Sequence, residues 1–240
     1  MPKLVRKWIL QTDKVVCVSK RQAEIITDQI PELKDKVEVT YNPLPQELLI
    51  REPSKELDEV PAYLYVGGDS YVKGFHILLQ ALRKIGKQGD KTRFILTNRY
   101  NPRNLEILKR LNEKYRNLEI RVMGRVNYEK LLEIHKKVWA LIFPSIWEET
   151  FGYAVVEAML LGTVPIASRV GGVPELVRET PAEAMLFTPY NPLELSKFIK
   201  SLTELSPEHV NALGMKIRNS FLQRYRQYNM NKKLIRVFGD

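Results

Sequence analysis

The sequence has one cysteine, three histidines and no long apolar run, and each scarcity removes a class of function. Cys17 cannot form a disulfide within the chain, and its apolar surroundings predict a buried, inert thiol. His76, His135 and His209 stand far apart, with no Cys/His cluster at metal-ligand spacing, so no metal site is expected. Each histidine falls in a helical pattern, where a surface or core role is the expectation. No apolar stretch approaches the ~20 residues that a membrane span requires. The opening segment, Met1 to Leu10, is charged and lacks the apolar region of a signal peptide, so a cytoplasmic protein is the default. No internal repeat, Arg-rich tract or aromatic-interleaved basic motif occurs, which argues against nucleic-acid binding.

What is present is an ordinary globular composition, 44% hydrophobic over 240 residues, with 38 Lys and Arg against 28 Asp and Glu. The formal charge of +10 favours a polyanion, whether phosphate, nucleotide or an acidic membrane surface, without choosing among them. Short β-rich runs alternate with helical patterns. The expected strands are Ala62 to Val66, Arg93 to Thr97, Leu118 to Met123, Val138 to Phe143, Val164 to Ala167 and Ala184 to Phe187. Between them fall helical patterns at Lys73 to Lys87, Asn104 to Tyr115, Tyr128 to Lys136 and Gly152 to Leu161, with two or three more from Pro192 onward. Such alternation predicts an α/β fold, a Rossmann-like, doubly wound parallel sheet covered on both faces. Ligands of such sheets collect beyond the carboxyl ends of the strands. Residues 1–42 hold a separate strand, helix and strand, and the polar stretch 51–59 reads as a linker.

The most informative stretch runs from Pro144 to Met159, where a buried strand ends in a loop and a helix follows. The free amides and dipole of a helix start favour an anion, and Gly152 lets a ligand approach the backbone. Carboxylates stand beside this would-be anion site, which suits a mixed ligand: amides for phosphate oxygens, carboxylates for sugar hydroxyls. Glu148 reads as an acidic helix start stabilised by the dipole. Glu157 is harder to dismiss, because apolar residues surround it and a lone buried carboxylate is costly. Lys73 has two open readings, a solvated residue at a helix start or a phosphate ligand. Gly171-Gly172 likewise reads as a turn or as a ligand contact.

Ser145, Glu149, Phe151-Gly152, Glu157-Ala158-Met159, Gly162, Pro165-Ile166-Ala167 and Gly171 to Glu175 together resemble the signature of a large family of retaining glycosyltransferases, family 4 and its glycogen-synthase-like relatives. The E-x7-E motif of that family matches at Glu149 and Glu157. Lys73-Gly74 resembles its first C-domain loop, and Gly124-Arg125-Val126 the loop near the base. The resemblance implies the C-terminal half of a GT-B fold, with residues 43–227 as the nucleotide-sugar domain. It implies no cofactor or metal, and a UDP-, ADP- or GDP-sugar donor transferred with retention of anomeric configuration. Glu157 would hold the ribose hydroxyls and Glu149 the donor sugar, with Thr150, Phe151 and Gly152 beside it. Lys73, with the loop of Gly67 and Gly68, would neutralise the diphosphate, and Arg125 and Val126 would lie along the base.

Two departures qualify this. The family places an arginine where this sequence has Gly68, followed by Asp69; Arg99 is an alternative cation. The acceptor domain is almost absent, so residues 1–42 are expected to be its remnant and 228–240 a helix that packs back on it. An acceptor domain or partner subunit is then required, and a non-catalytic nucleotide-sugar-binding module is the alternative. Peripheral membrane contact is permitted by the charge, and Leu4, Val5, Trp8, Ile9 and Leu10 form an amphipathic pattern whose expected role is packing against a missing neighbour or the folded core.

Overall fold

A computed structural model describes residues 3–227; the expected helix at 228–240 lies outside the described residues. Six parallel strands form the main sheet: β3 (Ala62–Tyr65), β4 (Thr92–Thr97), β5 (Leu118–Gly124), β6 (Ala140–Phe143), β7 (Val164–Ser168) and β8 (Leu186–Phe187). Their order is β5-β4-β3-β6-β7-β8. Every residue of β3, β6 and β7 is buried, as uninterrupted apolar strands covered on both faces require. β5 is an edge strand, and its exposed Val122 and Met123 reflect that place.

The helices joining these strands are α4 (Phe75–Gln88), α5 (Pro102–Lys114), α6 (Tyr128–Lys137), α7 (Tyr153–Leu160) and the short α8 (Val173–Val177), and α9 (Pro192–Thr203) and α10 (Pro207–Gln227) follow the last strand. α4 buries Phe75, Ile77, Leu78, Leu79, Ala81, Leu82 and Ile85, the stripe its periodicity predicts. α4 packs on α5 and α9, whereas α10 packs on α7, so the helices divide between the two faces. The chain leaves β3 toward β4 and leaves β6 toward β7, in opposite directions. A crevice therefore opens between the carboxyl ends of β3 and β6, the topological switch point.

Residues before this sheet form a second, two-stranded parallel unit of β1 (Val15–Cys17) and β2 (Val37–Val39), joined through α2 (Lys20–Gln29), with α1 (Lys3–Leu10) ahead of it. The amphipathic pattern of α1 is realised as a helix, with Leu4, Val5 and Trp8 exposed. Ser19 caps α2 through a hydrogen bond from Gln22 N.

Three local expectations differ from the fold. The strand expected from Ala184 begins only at Leu186, because Thr180 caps a tight helical turn, Pro181–Met185, that consumes the residues before it. A short helix, α3 (Gln46–Ile50), was not expected; it follows Pro45 and buries Leu48. Stretch 51–59, read as a linker, is a strap bound to the sheet's amino end. Trp139 Nε1 donates to Asp58 O at 3.1 Å, Glu56 N to Lys136 O at 2.9 Å and Arg218 Nη2 to Arg51 O at 2.9 Å. Backbone hydrogen bonds hold this strap, so its low apolar content misreports it.

Candidate functional site

At the switch point an open cleft of about 350 Å³ is lined by Asn42, Val66, Gly67, Lys73, Phe143, Ser145 and the run Glu149 to Ala154. Its centre is an ion pair: Lys73 Nζ lies 2.5 Å from Glu149 Oε1. The lysine side chain is 40% exposed and the glutamate 13%, so the carboxylate is walled in while the ammonium faces the opening. Ser145 Oγ lies 2.8 Å from the same Oε1 and 3.1 Å from Val72 O, with one proton to give to either acceptor. A charged acceptor binds it more strongly than a carbonyl, so the carboxylate is held from two sides.

The loops that carry this pair are fitted to each other. Ile146 N donates to Val72 O at 2.9 Å, joining the Lys73 loop to the loop after β6. Gly74 adopts φ +77, and a Cβ there would lie 1.8 Å from Pro144 O. Only glycine admits that approach, which is the physical content of the Lys73-Gly74 dipeptide. On the other side, Gly172 N donates to Glu149 O at 2.7 Å, and a Cβ on Gly171 would lie 2.1 Å from that oxygen. The Gly171-Gly172 pair thus packs against the backbone of the site loop.

Of the residues singled out from sequence, Gly67, Lys73, Glu149, Thr150, Phe151 and Gly152 line the cleft together. Gly68, Arg125, Val126 and Glu157 do not line it. Glu157 sits on α7 three residues beyond Ala154 and four beyond Tyr153, on the stripe that meets the cleft. It has no hydrogen-bond or ion-pair partner among the described residues, and burial pushes its carboxyl pKa up. Tyr128, at the start of α6, lies close enough that the Glu157 carboxylate and burial both raise its phenol pKa. The loop of Arg125 and Val126 leads directly into Tyr128. Tyr128 escaped sequence reasoning; its place directly after the helix cap Asn127 is the only signal it carries.

The glycine at position 68 has a structural cause. Its φ is +61, and a Cβ would lie 2.8 Å from Arg99 O, so an arginine there would be strained. Asp69 is turned away from the cleft, accepting Asn101 N at 2.7 Å and Asn104 Nδ2 at 3.1 Å. It therefore steadies the start of α5 and does not set a negative charge in the site. Arg99 is exposed at the end of β4.

Glu175, quoted above within a glycine-rich motif, has a role that sequence did not suggest. Its carboxylate accepts Lys20 N at 2.9 Å, Arg21 N at 2.8 Å and the Tyr41 hydroxyl at 2.9 Å. Arg21 also pairs with Glu148 at 3.2 Å. Two carboxylates of the site loops thus fasten the first turn of α2, and with it the N-terminal unit, to the cleft wall. The remaining candidates are quiet. Cys17 is buried with its thiol pKa raised by burial, and His135 is a core histidine bonded to Thr163 Oγ1 at 3.0 Å. No group of three or more His, Cys, Asp or Glu side chains suited to a metal occurs among the described residues.

Residues 47–220 match the family model "glycosyl transferases group 1". The chain belongs to that family. A relative, an uncharacterized glycosyltransferase of Methanocaldococcus jannaschii, is 30% identical over 202 residues, covering 80% of this chain and 50% of the relative. The phosphatidylinositol N-acetylglucosaminyltransferase gpi3 subunit of Schizosaccharomyces pombe is 27% identical over 176 residues, 73% of this chain and 38% of its own length. The chain thus spans about half or less of the curated relatives it matches. Among solved structures, TarM superposes with a TM-score of 0.78 at 16% identity, covering 99% of this chain and 46% of TarM. HepE of Anabaena, solved with UDP and glucose, gives 0.73 at 20% identity over 95% of this chain and 63% of HepE. These neighbours establish the GT-B-type, Rossmann-like fold of this group 1 domain. No helix among the described residues is long and apolar enough to cross a membrane.

Proposed function

We propose that this chain is the donor-binding domain of a glycosyltransferase, which holds a nucleoside-diphosphate sugar in the switch-point cleft and transfers the sugar with retention. The observation that carries the reading is the Lys73–Glu149 pair at the centre of that cleft, with Glu157, which has no partner among the described residues, on the adjoining helix. An ammonium facing a cleft beside the start of α7 suits a diphosphate, and carboxylates suit sugar hydroxyls. In the transfer, the bond from the anomeric carbon to the diphosphate oxygen breaks and a bond to the acceptor oxygen forms. The acceptor's proton leaves with the nucleoside diphosphate. Negative charge grows on the departing diphosphate, where Lys73 would stabilise it without a metal. Glu149 would orient the sugar and Glu157 the ribose, with Tyr128 and the Arg125-Val126 loop along the base.

The domain that carries the bulk of the acceptor site is assigned to further protein. Glu175 and Glu148 fasten the N-terminal unit onto the cleft wall, which fits a unit that continues into an acceptor domain. The fission-yeast relative is named as a subunit, which supports a partner subunit as the other source. Calorimetric titration with UDP, ADP and GDP and their glucose conjugates, without added metal, tests the reading. One nucleotide should bind, at least tenfold more weakly in Lys73→Ala and in Glu157→Ala. Unchanged binding in Glu157→Ala removes the ribose assignment, and failure of every nucleotide to bind removes the donor site.

A further inference from the structure

The loop that carries Lys73 also carries one side of an exposed aromatic shelf. The rings of Tyr71 and His76 stack with centroids 4.3 Å apart and planes inclined by 12°. Tyr190 adds a third ring, 6.2 Å from His76 and tilted by 46°. All three come from the carboxyl end of the sheet: Tyr71 from the loop after β3, His76 from the first turn of α4 and Tyr190 from the loop after β8. That is the end at which ligands of doubly wound sheets bind.

Folding does not account for this arrangement. Tyr71 and Tyr190 are 63% and 59% exposed, so their rings bury little surface within the chain. Tyr190 is held at φ +62, in the left-handed region that costs a residue with a side chain. His76 Nδ1 is buried without a hydrogen-bond partner. Burial also lowers the imidazole pKa, so the ring presents a neutral aromatic face.

We propose that Tyr71, His76 and Tyr190 form a carbohydrate subsite that stacks a pyranose ring of the acceptor. The proposal rests on the glycosyl-transfer reading for the word acceptor, and on the shelf's geometry for the word carbohydrate. One face of a pyranose is a patch of C–H bonds rimmed by hydroxyls, complementary to an aromatic ring whose own edge is polar. The shelf offers that combination: ring faces, two phenol hydroxyls and an imidazole. An acyl chain would call for a continuous apolar surface without those polar edges. Position agrees as well. Tyr71 is two residues from Lys73, and the hydrogen bond from Ile146 N to Val72 O fixes the intervening residue against the cleft wall. A sugar on the shelf borders the cleft that would hold the donor.

The test is titration of the chain with maltotriose, mannotriose and chitotriose, followed by saturation-transfer NMR. At least one trisaccharide is expected to bind, with about five- to tenfold weaker affinity in Tyr71→Ala and in Tyr190→Ala. Tyr71→Phe should retain binding, because the ring and not the hydroxyl does the stacking. Binding to none of the three, or binding indifferent to both alanine substitutions, overturns the subsite. So does ring-dependent capture by phosphatidylcholine vesicles without trisaccharide binding, which would assign the shelf to lipid. Ring-dependent sugar binding in a chain that takes up no nucleotide would support the subsite while removing the donor site, so the two readings fail separately.

Discussion

The two ends of the sheet each hold a lysine in a defined place, and they hold it in opposite ways. At the carboxyl end, Lys73 pairs with a carboxylate and faces an open cleft. At the amino end, the Lys55 ammonium is ringed by His135 O, Val138 O at 2.8 Å and Thr163 Oγ1 at 3.0 Å, with no carboxylate among its partners. Burial pushes the Lys55 pKa down to about 7. The carbonyl ring ties the strap to the ends of α6, β6 and β7 and leaves no donor for a ligand. Lys73 keeps exposed surface and, on the proposed function, a partner that a diphosphate would displace. A charge whose every hydrogen bond is internal serves the fold, whereas a charge that remains open to a cleft serves a ligand.

The strongest way to break the comparison is to damage the open end through its backbone. Gly74→Ala puts a methyl group 1.8 Å from Pro144 O at φ +77. It should cost about 3 kcal/mol or more of stability. Urea denaturation reads the stability and nucleotide titration the site; a variant with the wild-type midpoint would show that the loops are not locked together. Next comes the closed end. Lys55→Met leaves two carbonyls and a hydroxyl without their shared donor, for an expected loss of about 2–4 kcal/mol. Nucleotide affinity of the folded fraction should be unaffected. A nucleotide affinity that fell with Lys55 would contradict the separation of the two ends.

The architecture was more legible in the sequence than the site. Continuous apolar runs at β3, β6 and β7 and the broad stripe of α4 specify a doubly covered parallel sheet, because burial on both faces leaves no other pattern. Lys73, Glu149 and Gly152 were marked by the family resemblance and by their place after strand ends, and the fold brings them to one cleft. The strap was not legible, since it is anchored through its backbone, to Trp139, Lys136 and Arg218, and through one lysine, which composition does not record. Nor was the work of Glu175, whose partners Lys20, Arg21 and Tyr41 lie more than 130 residues away and meet it through backbone amides and a single hydroxyl. Gly68 shows the limit most clearly: an apparent loss of a cation proves to be a backbone conformation.

That limit can be tested in turn. Gly68→Arg restores the residue type that the family resemblance expects, yet φ +61 and the approach to Arg99 O oppose it. The expected result is a stability loss of about 1–3 kcal/mol with no gain in nucleotide affinity. Tighter binding in a fully stable variant would show that the loop can rearrange to admit the cation.

A graded effect comes from pH at the closed end. His135 is buried, and burial together with the neighbouring Lys55 holds its pKa down to about 3 in the folded chain. The unfolded chain takes up that proton near pH 6.5. Between these values the unfolded state binds more protons, so stability should fall as pH drops, by at most about 1.4 kcal/mol per pH unit from this group. Urea midpoints across pH 4 to 7 measure the slope, and His135→Gln should flatten it. An unchanged slope would place the acid sensitivity elsewhere.

Glu157 should give the smallest stability change and the sharpest contrast between folding and binding. Burial raises its pKa, so the folded chain holds the proton more tightly than the unfolded chain. The stabilising share of that shift is present below the unfolded pKa and is lost as pH rises through the folded one. At neutral pH the ionised carboxylate is therefore a mild burden on the fold, with no partner among the described residues to offset it. Glu157→Gln removes the charge and keeps the shape, and should stabilise the chain by less than about 1 kcal/mol at pH 7, with no gain at pH 4. If the carboxylate is retained for ribose hydroxyls, the same substitution should weaken nucleotide binding severalfold, since a charged acceptor is exchanged for a neutral amide. A residue that favours folding when replaced and favours binding when kept is under the demand of a ligand. A glutamine variant with lower stability and full nucleotide affinity would instead make Glu157 part of the scaffold.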